Sequence, residues 1–229
     1  MASVSRPTGD ALLYLATEIE SEVENDFNLW CEGHVKDNLS LPGFLGARRL
    51  HKQAEFTGVG ECPTYLTAYD LESAGAIETE AYANHDTSLP AAFSGRFQFS
   101  RMMFRAIGSD PDVAGRQTRG AAILHVTVNV DPAYNDEFLA WYADMHVPAV
   151  LSAPGMLSAR RYETVSVAAD DNPAADGFRY LTLYEMEERD VMSRPETVEA
   201  SMKGACPARL EPHRWATHHV YEEIFAAES

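Results

Sequence analysis

The residues with the clearest chemical potential form a histidine-bearing stretch in the second half of the 229-residue chain. It runs from Phe138 through Trp141 and Tyr142 to His146 and Pro148. Imidazole is the side chain whose ordinary pKa lies nearest neutrality, so it can accept and donate protons during a reaction. The stretch therefore predicts acid/base chemistry, with His146 as a catalytic residue and Trp141 in the substrate-binding wall.

A weaker copy of the stretch, with Trp30 and His34, occurs in the first half. Ten of the sixteen residues that start at His34 are identical to those that start at His146. A second pair of matching blocks begins at Tyr65 and Tyr180. Self-similarity of this kind is typical of repeated structural units, so the chain is interpreted as a tandem duplication.

The elements that must position these residues follow one plan in both halves. Strands are predicted at 11–17, 44–52, 64–71, 96–105, 121–130, 156–166, 179–186 and 213–223. Helices are predicted at 17–33, at 73–85, from Asp131 to about residue 146, and at 188–203 with a break at Pro195. Each half thus has the order β-α-β-β-α-β, which is the ferredoxin-like arrangement.

The domain organisation follows from this order. Residues 1–107 form the first repeat, 108–120 a linker rich in Gly, Pro and Asp, and 121–229 the second repeat. In a ferredoxin-like unit both helices cover one face of the sheet and leave the other bare. We expect the two bare faces to pack together as a pseudo-two-fold dimeric α+β barrel, because this buries their apolar surface.

Alternation along the strands predicts which side chains line the barrel interior. In the strand at 121–130 the residues opposite the aliphatic set are His125, Thr127 and Asn129. Tyr14 stands at the position of His125 in the first half, whose matching positions are more apolar. Buried polar groups need partners or a ligand, so we expect a pocket there, with most of its chemistry supplied by the second half.

The last strand adds adjacent histidines, His218 and His219, of which only one can face the interior. We take His125 and His219 as further catalytic candidates, and Tyr14, Thr127 and Asn129 as substrate-binding residues. His125 has an alternative interpretation as a core histidine whose partners are within the protein. Sequence alternation leaves open which member of the histidine pair faces inward.

Pro148 predicts that the helix ends near His146, whose protonated form the negative end of the helix dipole would favour. The alternative is that His146 hydrogen-bonds backbone across a loop. Two arginine pairs, at 48–49 and 160–161, must each split between the faces of a strand. We expect one member of each pair to bind a carboxylate across the sheet. The other, represented by Arg161, would meet the substrate.

Composition excludes several classes of function. A net charge of −17 opposes binding to nucleic acid or to anionic membrane surfaces, both of which require basic faces. The three cysteines, Cys31, Cys62 and Cys206, are far apart and indicate neither a disulfide framework nor a zinc site. Residues 1–10 lack an apolar core typical of a signal peptide, and no apolar run could span a membrane. We therefore expect a cytoplasmic protein.

Other catalytic motifs are absent from the sequence. There is no H-E-x-x-H motif, no Cys/His cluster with metal-ligand spacing, and no glycine-rich nucleotide loop. No serine or cysteine sits on a recognisable nucleophile elbow. We accordingly predict no metal and no cofactor.

The spacing of Phe138, Trp141, Tyr142, His146 and Pro148 resembles the EthD-type branch of the dimeric α+β barrel superfamily. The continuation through Pro-Gly at 154–155 and Ala-Arg-Arg-Tyr at 159–162 is similar to the same group. The resemblance implies ferredoxin-like domains paired around a cavity, with the motif histidine as acid/base residue. The first copy departs from the pattern by one residue and by lysine in place of proline, so a role for its histidine stays open.

Together these features predict a cofactor-independent lyase, isomerase or dehydratase that acts on a small aromatic, lactone or polyketide-like metabolite. One alternative is a haem-dependent oxidoreductase of the same superfamily, which the resemblance also implies. Another is a non-enzymatic protein that binds a small molecule. A homodimer of the fused barrel is a further possibility, and no nucleic-acid or membrane partner is expected.

Overall fold

The computed structural model describes residues 9–53, 62–86, 88–108, 119–165 and 178–229. Within them the chain is an α+β protein whose strands form a closed barrel, in which every pair of neighbouring strands is antiparallel. The strands are β1 (Ala11–Ile19), β2 (Phe44–Lys52), β3 (Tyr65–Leu71), β4 (Phe97–Ala106), β5 (Ala122–Val130), β6 (Met156–Val165), β7 (Tyr180–Met186) and β8 (Arg214–Glu228). Around the barrel the order is β1-β3-β2-β8-β5-β7-β6-β4.

The helices lie outside the barrel and differ between the halves. They are α1 (Glu24–Asn38), α2 (Glu80–Ala83), α3 (Asn135–Trp141), α4 (Val147–Leu151) and α5 (Pro195–Lys203), with a π-helical turn at Tyr142–His146 between α3 and α4. Short 3₁₀ turns occur at Ala74–Glu78, Ala91–Phe93, Pro132–Tyr134, Arg189–Ser193 and Glu211–His213. The Asp131 side chain accepts a hydrogen bond from the Ala133 N–H, as predicted for a capping residue.

Each strand has one face inside the barrel and one face toward the helices. Aliphatic and aromatic side chains from both halves fill the interior, including Leu12, Leu50, Leu66, Phe104, Ile123, Tyr162, Leu181 and Tyr221. In β5, Leu124, Val128 and Val130 pack on the helix side, whereas His125 contacts the interior residues Tyr14 and Tyr221. The face assignment predicted from alternation in this strand is therefore confirmed.

The halves join at their edges. β2 pairs with β8 and β4 pairs with β6, so each half supplies strands to both seams. An edge strand carries unpaired N–H and C=O groups, and pairing across the seams satisfies them. The predicted barrel is confirmed as an overall architecture. Its two halves are joined by backbone hydrogen bonds at both seams, in addition to the predicted packing between sheet faces.

Two buried ion pairs span the interior between the halves. Arg48 donates to Glu185 at 2.6 and 3.1 Å, and Arg160 donates to Asp70 at 2.8 Å. All four side chains are buried. Arg48 and Arg160 are equivalent members of the two arginine pairs, so the prediction that one arginine of each pair binds a carboxylate across the sheet is confirmed.

Several predicted boundaries were wrong. The helix predicted at 17–33 begins later, at Glu24, because β1 extends to Ile19. The helix predicted at 73–85 is a 3₁₀ turn followed by the four-residue α2, and β8 continues to Glu228. The predicted linker falls mostly at 109–118, outside the described residues.

The prediction that the helix ends near His146 was also wrong. The chain passes through the π-helical turn into α4, and Val147 N–H bonds the carbonyl of Tyr142, five residues earlier. A proline ring clashes with the carbonyl four residues before it in a regular α-helix, and the wider turn relieves that clash. Along the described segments no helix is both long and apolar enough to cross a membrane.

Candidate functional site

The barrel interior brings together several of the residues predicted for the site. The Tyr14 hydroxyl lies 3.0 Å from Nε2 of His125, and the Cys62 sulfur lies 3.6 Å from Nδ1 of the same ring. Tyr221 donates to the Cys62 sulfur at 3.0 Å. Both nitrogens of His125 therefore face protein groups, in agreement with the interpretation of His125 as a core histidine.

Burial controls the ionisation of this cluster. His125 is fully buried, and desolvation together with the neighbouring His219 lowers the pKa of His125 to about 3. Burial also raises the pKa of Cys62 to about 11. A neutral imidazole next to a neutral thiol stabilises the interior, because charging either group there would cost hydration energy.

The remaining interior candidates also have partners within the protein. His219 pairs in register with His125 and is buried, which settles that His219 faces inward and not His218. The Thr127 and Thr217 hydroxyls lie 2.6 Å apart, and Asn129 accepts from the backbone N–H of Arg179 at 2.7 Å. Each of these side chains thus has a contact within the protein.

His146 lies on the helix side of the second half. Its Nδ1 is 2.8 Å from the carbonyl oxygen of Gly204, and its ring lies 5.0 Å from Trp141 and 4.9 Å from Tyr142 between centroids. Burial lowers the pKa of His146, and the Gly204 carbonyl opposes that shift. The expectation that the helix dipole favours the protonated form was wrong, because the helix does not end there and desolvation dominates.

Little open space lies between Arg161 and the aromatic cluster of the second half. Phe138, Trp141 and Tyr142 are buried in one core cluster between the helices and the second-half sheet. The cavity that Arg161, Phe138 and Tyr142 line has a volume of only about 10 Å³. A ligand of the size of an aromatic ring does not fit there.

The equivalent region of the first half is open. A cavity of about 250 Å³ lies between α1 and the outer face of the first-half sheet. Its walls are largely apolar and aromatic, formed by Leu13, Leu15, Phe27, Trp30, Cys31, Val35, Leu89, Phe97 and Phe99. This volume lies just below the range of roughly 300–1,000 Å³ for clefts that hold drug-sized ligands, so the cavity suits a smaller molecule.

Polar side chains converge on this cavity from α1 and two strands. His34 and Asn38 come from α1, Arg49 from β2, and Thr67 and Tyr69 from β3. They share the cavity because β2 and β3 are paired, and residues four apart on α1 lie on one helix face. An apolar box with a few convergent polar groups is typical of a small-molecule site.

The histidine of this cavity occupies a position equivalent to that of His146. The His34 ring stacks on Trp30 with centroids 4.9 Å apart and an angle of 13°. The second copy has one more residue between Trp141 and His146 than the first copy has between Trp30 and His34. The π-helical turn accommodates this extra residue, so the histidine contacts the tryptophan in both copies. The one-residue difference between the copies therefore does not displace His34 from the corresponding place.

This cavity was not predicted from the sequence, because the intact histidine motif lies in the second half and the polar strand positions face the barrel interior. One signal was present. The Phe-x-x-Trp pattern is followed by Cys31 in the first copy and by Tyr142 in the second. A small side chain in place of a large aromatic one leaves space, but only where the surrounding elements do not collapse into it.

Comparison with known proteins supports the fold. A family model described as a domain of unknown function (DUF4286) matches residues 121–202. No curated protein matches the sequence. Among solved structures, an anthrone oxidase-like protein is 13% identical with a TM-score of 0.64, and the match covers 95% of this chain and 92% of that one.

Two further solved structures match over similar lengths. A candidate monooxygenase from Fusobacterium nucleatum is 10% identical with a TM-score of 0.58, and the match covers 96% of this chain and 95% of that one. A mutant chlorite dismutase from Candidatus Nitrospira defluvii is 8% identical with a TM-score of 0.54, with coverage of 94% and 90%. These likenesses show a shared fold, the dimeric α+β barrel.

These findings correct the predicted reaction. The similar structures are named as oxidases, monooxygenases and chlorite dismutases, so the prediction of a cofactor-independent lyase, isomerase or dehydratase was wrong. The oxidoreductase alternative agrees better with them. No group of three or more histidine, cysteine or acidic side chains that could hold a metal ion occurs among the described residues.

A haem-dependent oxidoreductase would need a cavity large enough for a porphyrin. A porphyrin is larger than a typical drug-sized ligand, whereas the cavity volume is about 250 Å³. The cavity and the residues that line it therefore do not fit haem.

Proposed function

We propose that the chain is an oxidoreductase that oxidises a small aromatic molecule held between α1 and the first-half sheet. The observation that carries this proposal is the cavity of about 250 Å³. Its walls are largely aromatic, the His34 imidazole that lines it stacks on Trp30, and buried polar side chains also line it. The names of the similar structures, an anthrone oxidase-like protein and a candidate monooxygenase, support the same class of reaction.

The proposed reaction balances with O₂ as oxidant. A CH₂ group next to aromatic rings loses both hydrogens and gains one oxygen atom as a carbonyl. The other oxygen atom leaves as water with the two hydrogens. The first step is loss of a proton, which gives an anion delocalised over the rings and electron-rich enough to reduce O₂.

His34 is the proposed proton acceptor. It lines the cavity, and desolvation lowers its pKa, so the ring is neutral and able to accept a proton at neutral pH. The aromatic walls exclude water from the anion that forms, and the stacked Trp30 limits how the imidazole can turn. The catalytic roles predicted for His146, His125 and His219 stay predictions, as do the substrate contacts of Tyr14, Arg161, Trp141, Thr127 and Asn129.

We also propose that each half is a ferredoxin-like repeat, bounded at 1–107 and 121–229, and that the chain belongs near the EthD-type branch. The strand order β4-β1-β3-β2 recurs in the second half as β8-β5-β7-β6, which supports two repeats. The aligned histidines and their tryptophan contacts support a common ancestor for the halves.

Anthrone is a suitable test substrate because its CH₂ lies between two aromatic rings. We expect the purified protein to convert anthrone and O₂ to anthraquinone and water, measured as O₂ consumption and quinone absorbance above the uncatalysed rate. A rate equal to the uncatalysed one, with anthrone bound at the cavity, would favour a non-enzymatic binding protein.

A matched pair of variants locates the reaction. We expect His34→Gln to lower kcat at least about a hundredfold, the usual scale of a lost general base. His146→Gln keeps a group that can donate to Gly204, and we expect it to retain turnover. Loss of activity only in the His146 variant would place the reaction in the second half and overturn the proposed site.

A further inference from the structure

In the second half, the Tyr142 side chain fills the space that corresponds to the open cavity of the first half. Phe27, Trp30 and Cys31 align with Phe138, Trp141 and Tyr142. Cys31 lines the cavity, whereas the Tyr142 ring is buried among the aligned aromatic residues. The two halves can therefore be compared as an open site and a filled one.

The surroundings of Tyr142 show what a phenol ring meets in this space. Its ring lies 5.3 Å from Phe138 and 4.9 Å from His146 between centroids. Its hydroxyl accepts a hydrogen bond from Tyr184 at 3.2 Å. Burial raises the pKa of Tyr142, and hydrogen bonds to Thr182 and Tyr184 and the charge of Arg161 oppose that shift.

Equivalent groups surround the open cavity. Arg49, Thr67 and Tyr69 occupy the positions of Arg161, Thr182 and Tyr184, and all three line the cavity. His34 takes the position of His146. The cavity thus presents to a ligand the same set of groups that the Tyr142 phenol meets in the other half.

Asn38 adds a polar group that the second half lacks, where Val150 aligns with it. Its Nδ2 donates to the Tyr69 hydroxyl at 2.9 Å, which leaves the tyrosine proton free to point elsewhere. Its Oδ1 is buried and has no hydrogen-bond partner within the described ranges. An unpaired buried acceptor is costly unless a ligand satisfies it.

Arg49 supplies a positive charge in the lining of the same cavity. Its side chain is 1% exposed and donates to the Asn28 amide oxygen at 2.7 and 3.2 Å and to the Thr67 hydroxyl at 3.2 Å. Across the part of the chain that the structure describes, no carboxylate pairs with it. Its partners are neutral, so an oxygen that carries negative charge would be stabilised beside it.

We propose that the cavity binds an aromatic molecule through a phenolic hydroxyl, which donates to Asn38 Oδ1 and accepts from Tyr69 and Arg49. The small Cys31 side chain leaves this site open, whereas Tyr142 fills the equivalent space in the second half. We therefore expect one such site per chain. The proposal deepens the proposed function, because the enol form of an anthrone-like substrate is itself a phenol.

The test uses binding, measured by titration calorimetry of the full chain with 2-naphthol and with 2-methylnaphthalene. The two probes have similar shapes and differ in the hydroxyl. We expect one 2-naphthol per chain, bound at least about tenfold more tightly than 2-methylnaphthalene, because a buried hydrogen bond with a charged partner has this scale. Equal affinity for both probes would overturn the proposal.

Two substitutions separate the site from other apolar surfaces. Cys31→Tyr copies the second half, and we expect it to abolish 2-naphthol binding while unfolding at a temperature no lower than that of the wild-type chain. Asn38→Leu keeps the side-chain size, and we expect it to reduce the preference for 2-naphthol over 2-methylnaphthalene about tenfold. Undiminished 2-naphthol binding by the folded Cys31→Tyr chain would overturn the assignment.

These outcomes are distinguishable from those for the reaction. Selective binding of 2-naphthol without anthrone turnover would refute the oxidoreductase and leave the phenol site standing. Turnover of anthrone that is unaffected by Cys31→Tyr would refute this site and leave the reaction standing elsewhere.

Discussion

At the scale of single residues, the ionisation of His34 decides whether it can act as a base. Desolvation lowers its pKa, and the nearby His85, whose ring centroid is 6.3 Å away, lowers it further. Asp37 and Asp86 act in the opposite direction. Because the shift is downward, the neutral form persists to lower pH than for an ordinary histidine.

We predict that kcat/KM for anthrone stays high as the pH falls through 6.5 and declines only below that value. His85→Gln removes the imidazole whose electrostatic effect lowers the pKa of His34, so it should raise that pKa and move the acid limb to higher pH. The pH dependence of the initial rate measures both. An acid limb above pH 6.5, or one that His85→Gln leaves unchanged, would contradict His34 as the base.

At the scale of elements, the π-helical turn explains how two copies of different length reach the same geometry. It absorbs one residue between Trp141 and His146, so that both histidines contact their tryptophan. It also precedes Pro148, which lacks an N–H group and clashes with a regular helix. The first half has Lys36 at that position and a regular α1.

Deletion of Asp144 should convert the π-helical turn into a regular one and bring the proline ring against the preceding turn. We predict a loss of up to about 3 kcal/mol in unfolding free energy, which is the scale of a proline inside a helix. Adding Pro148→Lys, the residue of the first half, should recover most of that loss. Urea unfolding of the two variants checks this, and equal stabilities would show that the proline is not the cause.

At the scale of the whole molecule, the two buried ion pairs hold the halves in register. Arg48 and Glu185 come from opposite halves, as do Arg160 and Asp70. Burying charges is expensive, so such pairs contribute more to specifying the arrangement than to net stability. The charged groups that these pairs place in the barrel interior are thus accounted for by contacts within the protein.

Glu185→Gln leaves the buried Arg48 guanidinium with less compensating charge, since Glu223 is 3.9 Å away and more exposed. We predict a cost of about 3 kcal/mol in unfolding free energy. The double variant Arg48→Met with Glu185→Leu should lie within about 1 kcal/mol of the wild-type chain. A double-mutant cycle in urea, completed by the single variants Arg48→Met and Glu185→Leu, measures the coupling. A cost below about 0.5 kcal/mol for Glu185→Gln would show that the pair is solvated.

Much of the fold followed from the sequence, because local patterns carry it. The repeat predicted two equivalent halves, alternation placed His125 inside the barrel, and the arginine pairs predicted one buried ion pair each. These features depend on which face of a strand a residue occupies, and strand periodicity alone determines that.

The tertiary structure decided the location of the cavity and the contact partners of the histidines. Whether replacing tyrosine by Cys31 leaves space depends on the positions of α1 and the sheet, which no local pattern records. His146 has the motif of a catalytic residue, yet its contact is with Gly204, 58 residues along the chain. The sequence by itself determined most of the strands and which face of each strand is buried. The cavity volume, and the contacts between residues far apart in the chain, depend on how the helices and strands pack together, so only the tertiary structure decided them.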